Sequence, residues 1–379
     1  MAAARVTRRL AVLVILAVAG LAMYAAIRAH RDLTDFEVYR TAAGRAAAAE
    51  ALYRPDDGHY EFKYLPAFAV IARPLIWMRS ETAKLVWFAL SFGMVVVFVR
   101  TLVITLPDRR LAAVGLGALT AMVMAKFLVR ELALGQTNAL LGLLLLPAVV
   151  GATRRPRLAG VSVGAAVFVK PYALLFVPWL ALTLPFSAIV AAVGTLAVGL
   201  GLPATVYGWS GNLSLLREWY RTVEDTTAPN LLHPDNVSLA SMWAKWLGVG
   251  SLSSALAVAS GVALIAAICG VAALRRRTRN PGYLEGGLLM LAMPLLSPQG
   301  WDYVLLLGTP MVVMAIDRWR ELPIAWRVVF VAIAIVFAVP LRQFVSLETY
   351  DVAMSSGAVS VAALLLVAIG AYLRGRSLA

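Results

Sequence analysis

Residues 31–45 read R-D-L-T-D-F-E-V-Y-R-T-A-A-G-R, with Asp32, Asp35 and Glu37 close together. Asp35 and Tyr39 are four apart, so on a helix they share one face, with Asp32 nearby on the same side. A carboxylate held this way can act as a general base, taking the proton from a hydroxyl that attacks an activated carbon. The same residues also describe ordinary interfacial charge, with Asp and Glu neutralising Arg31 and Arg40, and exposed pairs of that kind are common and weak.

Four other groups carry polar chemistry between apolar runs. A-L-Y-R-P at 51–55 is followed by F-K-Y-L-P-A-F at 62–68, where Lys63 and Tyr64 suit a phosphate and the apolar face of a sugar or lipid headgroup. An aromatic belt with a snorkelling lysine has the same composition. Arg130-Glu131 precedes G-Q-T-N at 135–138, where Gln136 and Asn138 either bind hydroxyl groups or cap the helix that follows. F-V-K-P-Y at 168–172 puts Lys170 between two apolar runs, which makes it a candidate phosphate ligand or a lysine escaping to water at a turn. Finally, H-P-D-N at 233–236 and S-P-Q-G-W-D-Y at 297–303 bring His233, Trp301, Asp302 and Tyr303 to turns that can line a cleft. A proline-aspartate turn also forms without any ligand.

The missing motifs narrow the chemistry. There is no G-x-x-x-x-G-K-[ST], no H-E-x-x-H and no CxxC, and only three histidines, so ATP-driven transport and a zinc site are unsupported. Asp32, Asp35 and Glu37 can hold a metal, but nothing in the pattern demands one. Cys269 is the single cysteine, so an intrachain disulfide is impossible.

These residues need a membrane to position them. With 61% hydrophobic and 14% charged residues and a mean hydropathy of +0.81, the chain is far more apolar than a soluble domain, which carries about 25% charge. Arg5, Arg8 and Arg9 precede an apolar stretch at 10–27, longer than the core of a signal peptide, which reads as a retained first span. Further apolar segments run near 82–104, 111–128, 137–151, 158–169, 172–184, 186–206, 251–274, 283–297, 303–316, 325–341 and 356–373. The net charge of +14 falls in short clusters between them, as cytoplasmic loops are marked, and not in the stripe that nucleic acid requires.

Placing Arg109-Arg110, Arg154-Arg155, Arg275 to Arg277, Arg318 with Arg320, and Arg374 with Arg376 on the cytoplasmic side sets two conditions. The stretch 64–78, with Pro66 and Pro74, must not cross, and 158–184 must cross twice around Lys170-Pro171. The expectation is an all-α polytopic membrane protein, a single domain over 1–379. It has 11–13 spans and two outer loops, 28–81 and 208–250.

In order, D-F-E-V-Y after a first span, then G-R, A-L-Y, F-K-Y-L-P, G-Q-T-N, V-K-P and S-P-Q-G-W-D-Y resemble the pattern of glycosyltransferase family 87. That family includes polyprenol-phosphate-mannose-dependent α-1,2-mannosyltransferases. The resemblance covers 10–316 and implies a GT-C fold in which Asp35 matches the acidic catalytic base of the first outer loop. It implies a polyprenyl-phosphate sugar donor, most simply mannose, with Lys170 at its phosphate beside Arg130 or Lys63, and Gln136 and Asn138 near the cleft. It implies a lipid or glycan acceptor on the outer face of a bacterial cytoplasmic membrane, and no cofactor. The chain departs from the pattern at Asp302, where members often carry histidine, so the role of that position in proton transfer or acceptor placement stays open. A transporter or flippase of a lipid-linked sugar is the reading from another class.

Overall fold

The computed structural model describes residues 33–151, 153–277, 280–338 and 345–376. The expected first span at 10–27 and Asp32 lie outside them. In chain order the helices are α1 Thr34–Ala47, α2 Pro66–Ile71, α3 Ser80–Thr105, α4 Ala113–Val123, α5 Ala125–Leu134 and α6 Asn138–Val150. They continue with α7 Pro156–Val169, α8 Phe176–Thr183, α9 Phe186–Gly201, α10 Ala204–Thr227, α11 Leu239–Leu247 and α12 Ser251–Ala273. The last are α13 Gly282–Leu296, α14 Thr309–Asp317, α15 Ile324–Ala338, α16 Leu347–Ser355 and α17 Ala358–Arg376. Among the described residues there is no β-strand.

The protein is an all-α polytopic membrane protein. By length and composition α3, α12 and α17 are long and apolar enough to cross a bilayer. Two bent pairs, α4 with α5 (72°) and α9 with α10 (91°), bring the total to five if each is one span. Six shorter apolar helices of 10–17 residues accompany them. This tally covers the described residues alone, without the expected first span, and backbone breaks divide several of the apolar runs read from hydropathy into helices shorter than 18 residues. The 111–128 run bends at Met124, and the 158–184 run stops at Lys170. Proline fixes that second break. Lys170 is extended (φ −149°, ψ 121°), the conformation that a following proline favours, and a 3-10 turn, Pro171–Leu175, leads into α8.

The described chain divides into two compact units, the boundaries falling within α3 after Val95 and within α5 after Val129. Of the described residues, the first comprises 33–95 together with Arg130–Ala228. Its tightest packing is between α7 and α9. A Cβ at Gly160 would lie 2.0 Å from the Ala188 carbonyl oxygen, and one at Gly164 would lie 2.8 Å from that of Ala192. Two glycines four apart therefore meet two alanines four apart, and the backbones touch, as apolar helices in lipid do when small residues line the seam. In this unit α1 buries Phe36, Tyr39, Ala42, Ala43 and Ala46, a helical stripe that leaves Asp35 on its border.

The second unit comprises Val96–Val129 and the chain from Pro229 onward. Its centre is α13, buried on all sides from Tyr283 to Leu295 and packed against α12, α14 and α17. Several polar groups of this interior are paired. The Tyr283 hydroxyl donates to the Leu102 carbonyl at 3.0 Å, and Arg374 meets Glu285 at 3.3 Å. Asp317 accepts from the amides of Arg110 (2.9 Å) and Leu111 (2.8 Å), which ties down the turn before α4.

Candidate functional site

Asp35 is the second residue of α1, where a negative charge is favoured by the helix dipole. Its Oδ2 accepts a hydrogen bond from Gln136 Nε2 at 2.5 Å. The amide of Gln136 is oriented from its other end, because the Tyr39 hydroxyl donates to its Oε1 (3.4 Å) and so turns the NH2 group toward Asp35. Tyr39 and Tyr64 share a hydrogen bond of 2.7 Å and an edge-to-face ring contact at 5.0 Å. Tyr64 also reaches Thr137 Oγ1 at 3.3 Å, while the Tyr53 hydroxyl donates to the Tyr64 carbonyl at 2.7 Å. The side chains of Tyr64, Tyr39 and Gln136 thus form one relay of hydrogen bonds that ends on the Asp35 carboxylate, while Tyr53 holds the backbone of Tyr64.

The turn that delivers Gln136 depends on Gly135, whose φ is +70°. A Cβ there would stand 3.0 Å from Phe36 Cβ and 3.2 Å from Leu33, and Trp87 Nε1 donates to the Gly135 carbonyl at 2.8 Å. Glycine therefore meets both a conformational and a steric demand at this turn.

Burial raises the pKa of Asp35 above the ordinary aspartate value, opposed by the Gln136 hydrogen bond and by the charges of Lys170, Arg130 and His59. The outcome is a carboxylate that is more basic than usual and that the positive charges of Lys170 and Arg130 act on. Lys63 is shifted the other way. Burial lowers it, against the charges of Glu61 and Asp35.

Lys170, at the C-cap of α7, and Arg130, on α5, are both buried, and the electrostatic influence of Lys170 falls on Asp35 and Glu131. Its ammonium also lies 6.0 Å from the centre of the Tyr172 ring. Glu131, fully buried, has a defined task. Its carboxylate accepts from Asn138 Nδ2 (2.7 Å) and from the Ala139 amide (2.7 Å), so it caps the start of α6 from outside that helix. Of the two readings for Asn138, hydroxyl binding or capping, the geometry shows it held by the capping carboxylate of Glu131.

Asp35, Tyr39, Lys63, Tyr64, Arg130, Gln136, Asn138 and Lys170 all belong to the first unit. His233, Trp301, Asp302 and Tyr303 belong to the second, where they form a cluster of their own. The Asn236 side chain ties 233–236 to 297–303, donating to the Pro298 carbonyl (3.0 Å) and accepting from the Gly300 amide (3.2 Å). The Asp302 amide donates to the Asp235 carbonyl at 2.9 Å. Beneath this joint turn, Asp302 and Lys126 form an ion pair of 2.9 Å at 0% and 1% side-chain exposure. The Tyr350 hydroxyl donates to Asp235 Oδ1 at 2.7 Å, and Lys126 lies 5.6 Å from the Tyr350 ring centre. Lys245 donates to the carbonyls of Pro234 and Asn236, and burial lowers its pKa to about 8 against the charges of Asp235 and Asp302. Trp301 lies edge-on to His233 (5.0 Å) and stacked on Tyr303 (6.3 Å, 12°).

The sequence profile of glycosyltransferase family 87 matches residues 62–298, more than half of the chain. The chain belongs to glycosyltransferase family 87. This family 87 protein is a membrane glycosyltransferase, which favours transfer over transport as the use of its polar groups. No curated protein and no solved structure matches it. The matched range holds Lys63, Tyr64, Arg130, Gln136, Asn138, Lys170 and His233, while Asp35 and Tyr39 precede it and Trp301, Asp302 and Tyr303 follow it.

Sequence reasoning passed over three participants. Glu131 is named there only as the neighbour of Arg130. Lys126, an ionisable residue inside the apolar 111–128 run, carries the signal that marks Lys170 and goes unused. His59, next to a positive-φ glycine (Gly58, φ +60°), has no local motif to announce its electrostatic effect on Asp35.

Proposed function

We propose that this family 87 enzyme moves a sugar, mannose in the simplest case, from a polyprenyl-phosphate donor to a lipid or glycan acceptor, with Asp35 as general base. In this reaction the acceptor oxygen attacks the anomeric carbon from the face opposite the phosphate. The bond from that carbon to the phosphate oxygen breaks, and the acceptor proton passes to Asp35. Polyprenyl phosphate leaves as an anion and needs no proton, so one base and a set of cations suffice.

The observation that carries this reading is the state of Asp35. It is a carboxylate made more basic by burial, oriented through Oδ2 by a single side-chain amide, and acted on by Lys170 and Arg130. A base must be poised to accept a proton, and an anionic donor must be met by positive charge. Lys170, Arg130 and Lys63 fit the second requirement, while Tyr39 and Tyr64 hold the amide that orients the base. The arginine clusters at the other ends of the apolar runs support an active site on the outer face of a bacterial cytoplasmic membrane.

The test is Asp35→Asn in membranes supplied with labelled polyprenyl-phosphate mannose. Transfer is expected to fall at least a hundredfold, a typical share for general-base catalysis, with donor binding retained. Full transfer by the variant would remove Asp35 from the mechanism. Transfer by the wild type from a labelled nucleotide sugar and not from the lipid-linked donor would overturn the donor assignment.

A further inference from the structure

After its break at Gly208 (φ +68°), α10 runs from Trp209 to Thr227, about 27 Å at 1.5 Å per residue. Its axis turns 91° from that of α9. The surface of α9 is apolar and exposed at Val190, Val193 and Val198, as suits a helix in hydrocarbon. A helix leaving such a segment at a right angle runs along the membrane surface.

The faces of α10 divide into three sectors. One is turned into its own unit: Asn212 donates to the Leu200 carbonyl at 2.9 Å, Leu215 is buried, and Trp219 Nε1 donates to the Lys63 carbonyl at 3.1 Å. A second is an apolar stripe at alternating spacings of four, three and four: the exposed Trp209 (77%), Leu213 (47%) and Tyr220 (62%), with the half-buried Leu216 between the last two. The third, flanking the stripe, is polar and exposed and carries Ser210, Ser214, Arg217 and Arg221, with Glu224 and Asp225 at its C-terminal end. A bare tryptophan and tyrosine on one stripe would be costly in water. Both are side chains with an apolar body and a polar edge, and the adjoining arginines complement lipid phosphates.

We propose that residues 209–227 form an in-plane membrane anchor. Trp209, Leu213 and Tyr220 enter the boundary between headgroups and acyl chains of the adjacent leaflet, and Arg217 and Arg221 contact phospholipid phosphates. This reading is independent of the reaction proposed above. Its structural consequence is that the depth set by α10 is passed through Trp219 to the segment that carries Lys63 and Tyr64.

The experiment uses single cysteines in a Cys269→Ser background, at Trp209, Leu213 and Tyr220 on the stripe and at Ser210, Ser214 and Asp225 on the polar flank. Each carries a nitroxide label in full-length protein reconstituted into phosphatidylcholine–phosphatidylglycerol nanodiscs. Collisions with oxygen and with a water-soluble nickel chelate are then compared. The expected result is an oxygen-to-nickel ratio at least about fivefold higher on the stripe than on the flank, and nearly constant from Trp209 to Tyr220. Equal ratios on stripe and flank would place the helix in water and overturn the anchor. A ratio that climbs steadily with residue number would make α10 a crossing helix. Exclusion of both probes with spin–spin broadening would mean that a second copy covers the stripe. The stripe positions are exposed, so three independent substitutions are available, and a failure of one to fold leaves two that decide the outcome.

Discussion

Replacing Gln136 by leucine tests the link between the hydrogen-bond relay and catalysis. Gln136 Nε2 donates to Asp35 Oδ2 at 2.5 Å, and this bond lowers a carboxylate pKa that burial raises. Removing the donor takes stabilisation from the ionised form alone, so the pKa of Asp35 moves further up. A hydrogen bond to a charged group contributes about 1.5–3 kcal/mol, which is about ten- to a hundredfold in the ratio of ionised to protonated Asp35. The sign fixes where the loss appears. On the acid limb of the kcat/KM profile, where the rate follows the ionised fraction, Gln136→Leu loses that factor. At high pH, where Asp35 is ionised in both proteins, the loss closes. The assay is the initial rate of sugar transfer from labelled polyprenyl-phosphate mannose in membranes over a pH series, at donor concentrations well below KM. An acid limb displaced to higher pH with recovery on the alkaline side is the expected result. An unmoved limb, or a loss of the same size at every pH, refutes the argument that Gln136 acts through the protonation state of Asp35.

Lys170→Gln, which keeps the length and removes the charge, is expected to raise the apparent KM for the lipid-linked donor about tenfold or more; an unchanged donor dependence would sink the phosphate assignment. In the second unit, Lys126→Met leaves the carboxylate of Asp302 buried against a lost charge and should cost about 3–5 kcal/mol. Lys126→Met with Asp302→Leu should restore most of it, measured by thermal unfolding in detergent, and a double variant no more stable than the single one would argue against a desolvated pair. Gly135→Ala places a side chain at φ +70° and 3.0 Å from Phe36 Cβ, so it should lower stability by about 1–3 kcal/mol and reduce transfer. Gly44→Ala, in a helix with nothing within 4 Å of the added carbon, serves as the control and should be neutral or better in the same unfolding assay.

Parts of this site are legible in the amino-acid sequence because they depend only on the backbone nearby. The proline after Lys170 forces an extended residue and a break in any chain, and the structure has the break there. Asp35 and Tyr39 share a face because a helix repeats every 3.6 residues, and their common partner is Gln136. Other parts depend on residues far apart along the chain. Asn236 meets Pro298 and Gly300 more than sixty residues away, and the two motifs that it joins look like separate turns in the sequence. Glu131 next to Arg130 reads as half of an ion pair, yet its carboxylate caps the helix seven and eight residues further on.

By itself the sequence determined the class of this protein, an all-α membrane enzyme of family 87, because hydropathy is additive and an ordered set of motifs is carried by the chain alone. It also placed the breaks that proline imposes. Tertiary structure alone decided how the candidate residues group. It gathers Asp35, Gln136, Tyr39, Tyr64, Lys63, Arg130 and Lys170 into one unit and puts His233, Trp301, Asp302 and Tyr303 in another, around an ion pair to Lys126. The physical reason is desolvation. A charge removed from water must find its partner wherever the fold brings one, and no local pattern records which distant residue that will be.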